Sequence, residues 1–243
     1  MRRDIAKWWS PNLGKEMEIV AYGNYGYALL LFPTAAADFL EYERFQLIDS
    51  IKSFIEAGQC KVYSINSINA ESWLNSQMDP HHKAIRHQQY NHYITEEVVP
   101  FIHNDCNGPV PIITSGASLG ALHAANSFFR RPDLFEGTLA MSGVYDLGVY
   151  SKGHWDENCY FNSPVHYVPN LHGEHLPMLQ KKRHIYFTSG RGDYESPESA
   201  VKMGEILSAK GIYNEVDLWG HEWKHDWPTW RAMLPHYLNT KLK

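Results

Sequence analysis

The residue best placed to do chemistry is the serine of Gly116-Ala-Ser118-Leu-Gly120. It sits in Pro111-Ile-Ile-Thr-Ser-Gly-Ala-Ser-Leu-Gly-Ala-Leu-His-Ala-Ala-Asn126, where the isoleucines read as a short buried strand. The residues Ala121 to Phe129 read as a helix that stops at Pro132. Strand, G-x-S-x-G, helix is the context of a nucleophile elbow. A serine on so sharp a turn needs small residues two positions to either side, so that the backbone can fold beneath it. The helix start then offers backbone N–H groups and the positive end of its dipole to an oxyanion. As an ordinary strand-to-helix loop the same motif would carry no chemistry.

A serine hydroxyl is a poor nucleophile until a base takes its proton and a carboxylate orients that base. At such an elbow the chain order is serine, then an acid, then histidine. The histidine lies in Trp219-Gly-His-Glu-Trp-Lys-His-Asp-Trp-Pro-Thr-Trp230. His225 directly precedes Asp226, which suits an N-cap, and Pro228, which suits a first helical turn, so it falls on the loop before the last helix. His221 is the lesser alternative. For the acid, Asp193 in Thr188-Ser-Gly-Arg-Gly-Asp-Tyr-Glu195 follows a predicted strand, although an aspartate after Gly192 also suits a plain turn. Asp146 is the second choice and Glu195 the third. The expected catalytic set is therefore Ser118, Asp193 and His225. Leu119 should give one oxyanion N–H, and the loop Phe32-Pro-Thr-Ala-Ala-Ala37 the other. Pro33 has no N–H, which leaves Thr34 or Ala35. Trp227, Trp155 and Tyr145 are the candidate substrate-binding side chains.

His221-Glu-Trp-Lys-His225 also spells the zinc-peptidase pattern H-E-x-x-H. That chemistry needs both histidines on one continuous helix. Here Glu215 to Trp219 alternates like a strand, Gly220 breaks it, and Pro228 sets a helix start beyond His225. No metal and no cofactor are expected in the chemistry. The histidines at 81, 82, 87 and 92 read as the solvated face of a long polar helix.

Apolar runs alternate with helical patterns from end to end, which predicts an α/β layer fold, and no linker divides residues 1–243. Glu16–Tyr22 and Tyr27–Phe32 read as a strand pair across Gly23-Asn-Tyr-Gly26. Phe39–Ala57 reads as one helix, and Lys83–Asn104 as a longer one with a kink at Pro100. Further strands are expected at Lys61–Ile65, Leu139–Met141, His184–Thr188 and Tyr213–Trp219, with helices at Pro197–Ala209 and Trp227–Asn239. Residues 146–183 lose periodicity and crowd aromatic and histidine side chains together, as a cap or lid would. The net charge of −5, without a basic stripe, argues against nucleic acid. No stretch is long and apolar enough to span a membrane. Three scattered cysteines fit reduced thiols and hence a cytoplasmic chain, and the serine chemistry implies a small-molecule ester as its partner.

These segments resemble the putative-esterase family of α/β hydrolases, which includes esterase-D-like S-formylglutathione hydrolases, enterochelin esterases and mycolyltransferases. The resemblance runs over nearly the whole chain. Its most specific pieces are Gly116-Ala-Ser-Leu-Gly120, Tyr93-Ile-Thr-Glu-Glu-Val-Val-Pro-Phe-Ile102 and His225-Asp-Trp-Pro-Thr-Trp230. The last is similar to the family's segment around its catalytic histidine. Ser10-Pro-Asn-Leu-Gly-Lys-Glu-Met-Glu18 and Ala70-Glu-Ser-Trp-Leu74 are similar to a bacterial subgroup of its esterases. The resemblance implies a single α/β-hydrolase domain, a mostly parallel sheet of about eight strands between helical layers, and acyl-enzyme chemistry on an ester or thioester. It matches Thr34 to the residue whose backbone completes the oxyanion hole. Phe32-Pro33 stands where the family usually has His-Gly or Asp-Gly.

Overall fold

The computed structural model describes residues 1–243. One sheet of eight strands runs in the spatial order β1-β2-β4-β3-β5-β6-β7-β8. The strands are β1 (Arg3–Ser10), β2 (Lys15–Tyr22), β3 (Tyr27–Phe32), β4 (Cys60–Ile65), β5 (Ile112–Ala117), β6 (Gly137–Met141), β7 (His184–Ser189) and β8 (Glu215–Leu218). β1 and β2 are antiparallel to their neighbours, and every pairing from β4 to β8 is parallel. This is the α/β-hydrolase fold. β2 and β3 are not the expected pair, because β4 lies between them. The turn at Gly23–Gly26 carries the chain past a gap that β4 later fills.

Period-2 alternation divides the core into two layers. Ala28, Leu30 and Phe32 face a cluster with Tyr90, Ile94, Phe128 and Met203, while Leu29 and Leu31 face Tyr42, Ile48, Trp230 and Leu234. The second layer starts with α1 (Glu41–Arg44), α2 (Leu47–Ser50) and α3 (Lys52–Glu56). A single helix was expected there, but Gln46 takes a left-handed φ of 61° and breaks it. On the other face α4 (Pro80–Tyr93) runs through a π-turn at Ile94–Val98 into α5 (Val99–Asp105). The π-turn lies just ahead of Pro100, whose ring and missing N–H disturb the preceding turn. In that turn Glu97 accepts hydrogen bonds from Trp8 Nε1 and Ser10 Oγ, each at 2.7 Å, and so ties down the N-terminal strand.

α6 (Leu119–Arg130) follows β5, and almost all of its residues are buried. Residues 146–183 form short pieces: α7 (Gly148–Ser151), α8 (Glu157–Phe161), α9 (Pro164–Tyr167) and α10 (His175–Lys181). α11 (Pro197–Ala209) and α12 (Trp227–Thr240) complete the flanking layers. The parallel strands finish in register, with Phe32 beside Gly116, Ala117 beside Met141, Met141 beside Thr188 and Ser189 beside Leu218. Five loops therefore leave one edge of the sheet together, which is where open α/β sheets bind ligands.

The elbow is the tightest point of this edge. A Cβ on Gly120 would collide with the Phe32 carbonyl and lie 2.6 Å from the Pro33 carbonyl oxygen. A Cβ on Gly116 would collide with the backbone of Gly120. Gly120→Ala must push β3 away from α6, and should lower the unfolding free energy by about 3 kcal/mol in urea titration. An unchanged midpoint would mean that this contact yields freely.

Candidate active site

Ser118 has φ 57° and ψ −125°, a conformation that costs a non-glycine residue on the order of 1–3 kcal/mol and persists only when its surroundings enforce it. Three contacts do so. The Ser118 N–H donates to the Met141 carbonyl at 3.0 Å. The buried Tyr42 hydroxyl accepts from the Ala117 N–H at 3.1 Å and donates to the Phe32 carbonyl at 2.7 Å. Gly120 closes the turn from behind.

The loop after β8 brings His225 onto the serine, with Nε2 2.9 Å from Ser118 Oγ. The opposite ring nitrogen, Nδ1, lies 3.6 Å from Oε2 of Glu195. That separation is longer than a hydrogen bond, and contacts of this kind tighten when a complex forms. The Glu195 side chain has no solvent exposure. Ser142 Oγ donates to its Oε1 at 2.6 Å and Ser189 Oγ to its Oε2 at 2.9 Å. Burial alone would raise its carboxyl, but His225 and the two serines outweigh that and hold it below its ordinary value. Trp230 finishes the shell. Its Nε1 donates to Ser142 Oγ at 3.0 Å, and its ring stands edge-on to His225 at 5.2 Å.

Asp193, the acid expected from the sequence, points elsewhere. Its carboxylate pairs with Lys224 at 2.6 Å, with both side chains more than half exposed. Its carbonyl instead accepts the His225 N–H at 3.0 Å. Gly192 N–H bonds the Trp223 carbonyl at 2.9 Å, and Tyr194 then turns left-handed at φ 65°. That turn sends Tyr194 outward and Glu195 inward. Asp146 is also elsewhere, accepting the Gly148 N–H at 2.8 Å. His221 is exposed and bonds the Arg191 carbonyl at 3.0 Å, and no helix spans His221 to His225.

The loop after β3, expected to supply an oxyanion N–H, differs from expectation too. The Thr34 N–H donates to Glu41 Oε2 at 2.8 Å, and Thr34 Oγ1 donates to Glu41 Oε1 at 2.6 Å. An N–H already given to a carboxylate cannot also serve an oxyanion. The next residue, Ala35, is exposed and has φ 36°. Its carbonyl is held from behind by Asn69 Nδ2 at 2.6 Å and Ser67 Oγ at 3.1 Å. Leu119 is the first residue of α6, so its N–H has no intrahelical acceptor.

The three aromatic residues expected to bind substrate divide. Trp227 stacks on Phe45 at 4.4 Å and stands edge-on to Trp230, close to the histidine loop. Trp155 lies exposed on the 146–183 segment, edge-on to His166 at 4.5 Å. Tyr145 is fully buried, edge-on to Phe187 at 4.9 Å, and belongs to the core. A ring with no exposed surface cannot wall a cleft.

The sequence profile of the family described as "Putative esterase" matches residues 55–240, and the chain belongs to that family. No curated protein matches the sequence. Among solved structures, a ferulic acid esterase superposes with a TM-score of 0.76 at 17% identity, covering 100% of this chain and 99% of that one. An S-formylglutathione hydrolase from Staphylococcus aureus gives 0.68 at 16% identity, covering 100% and 99%. MPT51 of Mycobacterium tuberculosis gives 0.71 at 14% identity, covering 100% and 98%. At these identities the superpositions speak for the fold.

Behind the loop after β3 lies a dry imidazole pair. His123 Nε2 is 3.0 Å from Asn69 Oδ1, and its ring is 4.7 Å from that of His87. Burial drives the His123 value down to about 3, and that of His87 well below its usual range. An unfolded histidine binds a proton near pH 6.5, whereas folded His123 refuses it until about pH 3. Above pH 6.5 the neutral ring carries no penalty, and stability falls as pH drops through that window. His123→Gln should flatten the decline by about 1.4 kcal/mol per pH unit, measured by urea unfolding between pH 6.5 and 4. An unaltered slope would show that His123 already takes its proton in the fold.

Proposed function

We propose that this protein is a serine esterase that cleaves a carboxylic ester or thioester through an acyl-enzyme on Ser118. The observation that carries this reading is the 2.9 Å contact of Ser118 Oγ with His225 Nε2, backed by a buried Glu195. Family membership supports ester chemistry. As Oγ attacks the acyl carbon, Nε2 takes its proton, and Glu195 stabilises the imidazolium. The tetrahedral oxyanion is held by the N–H groups of Leu119 and Ala35. His225 then gives the proton to the departing alcohol or thiol. Water, deprotonated in turn by His225, releases the acid and restores the serine. A small-molecule ester in the cytoplasm fits the net charge of −5 and the three free cysteines, and these features favour neither nucleic acid nor a membrane as partner.

One observation favours a second reading, in which the fold serves as a binding module without turnover: the Thr34 N–H is committed to Glu41. Stopped-flow hydrolysis of short nitrophenyl esters separates the two. The esterase predicts a burst of about one equivalent of nitrophenol per chain, absent in Ser118→Ala. A chain that shows neither burst nor turnover with any acyl length is the binding module.

The same assay identifies the acid. Glu195→Gln should reduce kcat by about 10⁴-fold, as loss of a triad carboxylate does elsewhere. Asp193→Asn, which breaks only an exposed ion pair, should stay within about threefold of the parent. The reverse ranking would return the role to Asp193.

A further inference from the structure

A second cluster of reactive side chains lies outside the candidate active site, where the 146–183 segment meets the start of α4. Oδ2 of Asp156 is 2.9 Å from His81 Nδ1 and 3.0 Å from His154 Nε2. The three ligand atoms all lie within 4.8 Å of one another. We propose that His81, His154 and Asp156 form a binding site for a divalent transition ion of the Zn²⁺ class, which fastens the 146–183 segment to α4.

The donor set is suited to that cation. Two neutral imidazoles and one carboxylate offer nitrogen and oxygen ligands with a single negative charge, and three protein ligands leave a fourth position for water. A tetrahedral zinc with bonds near 2.0–2.1 Å separates its ligand atoms by about 3.3 Å. Opening the two short contacts by a few tenths of an ångström and drawing the imidazoles together reaches that spacing.

The ligands are also held in advance. Asp156 caps α8 through its other oxygen, Oδ1, which accepts the Cys159 N–H at 2.8 Å and leaves Oδ2 for the ion. His81 is fixed at the first turn of α4, where its N–H bonds Asp79 Oδ1 at 2.9 Å. His81 is half exposed, so an ion can enter without unfolding.

The place gives the ion a structural role. One turn beyond His81, Ala84 packs with Leu119, Leu122, Leu147 and Cys159 in a small cluster of its own. That cluster joins α4, the nucleophile helix and the 146–183 segment. An ion at its edge would cross-link α4 to the segment that packs on Leu119.

The test is calorimetric titration of ZnCl₂ into untagged, chelator-stripped protein. The site predicts one equivalent bound with micromolar or tighter affinity, and with about a hundredfold excess over Kd a rise in Tm of roughly 5–10 °C. His81→Ala and His154→Ala should each abolish both effects. Asp156→Asn retains a capping side chain but loses the charge, and should weaken binding at least tenfold. His172→Ala and His221→Ala, at exposed histidines elsewhere, should bind as the parent does. Absence of a bound equivalent at 100 µM zinc, on the order of the weakest affinity such a site could have, overturns the proposal. So does binding that survives the loss of either His81 or His154.

Discussion

Everything at the catalytic edge depends on one close approach of backbone to backbone. Gly120, at the start of α6, rests against the carbonyls of Phe32 and Pro33 at the end of β3. There is no room for a side chain between them. The contact fixes the elbow that carries Ser118 and the loop that carries Thr34 and Ala35 with respect to each other. Attack on a carbonyl and stabilisation of the oxyanion it creates must occur on either side of the same atom. A rigid junction between the two loops is what the proposed chemistry requires of an immobile backbone.

The second constraint is a carboxylate kept dry and charged. Glu195 has no exposure, and two serine hydroxyls and His225 compensate the charge that burial opposes. Both serines stand at strand ends, Ser189 closing β7 and Ser142 just beyond β6, so the sheet itself delivers the donors. Ser142 is held with φ 52°, and Trp230 bonds its hydroxyl from the last helix. The acid, its donors and the tryptophan beside His225 thus form one buried unit, in which a gap at any member leaves a polar group unpaired.

Much of this was legible in the sequence. The elbow is written in residues 112–129, because strand, turn and helix each carry a local signal and the two glycines answer a local steric need. His225 could be placed because Asp226 and Pro228 mark a helix start immediately after it. The proposed acid could not be placed in the same way. Asp193 and Glu195 share a loop, and which one faces inward is decided by the bond from Gly192 to Trp223 and by the left-handed Tyr194, neither of which has a sequence signal of its own. Thr34 fails for a similar reason, since its N–H is taken by a buried glutamate on the next helix. The false pairing of β2 with β3 shows the same limit, because adjacency in the chain says nothing about a strand inserted later.

The proposed chemistry is decided by the geometry around a covalently modified serine. The most direct measurement is a crystal structure of the protein after reaction with a small fluorophosphonate. We expect phosphorus bonded to Ser118 Oγ and the phosphonyl oxygen about 2.7–3.1 Å from the N–H groups of Leu119 and Ala35. His225 Nδ1 should have closed to hydrogen-bonding distance of Glu195. An adduct on another residue, an oxygen turned to Thr34, or an imidazole swung to Asp193 would contradict it.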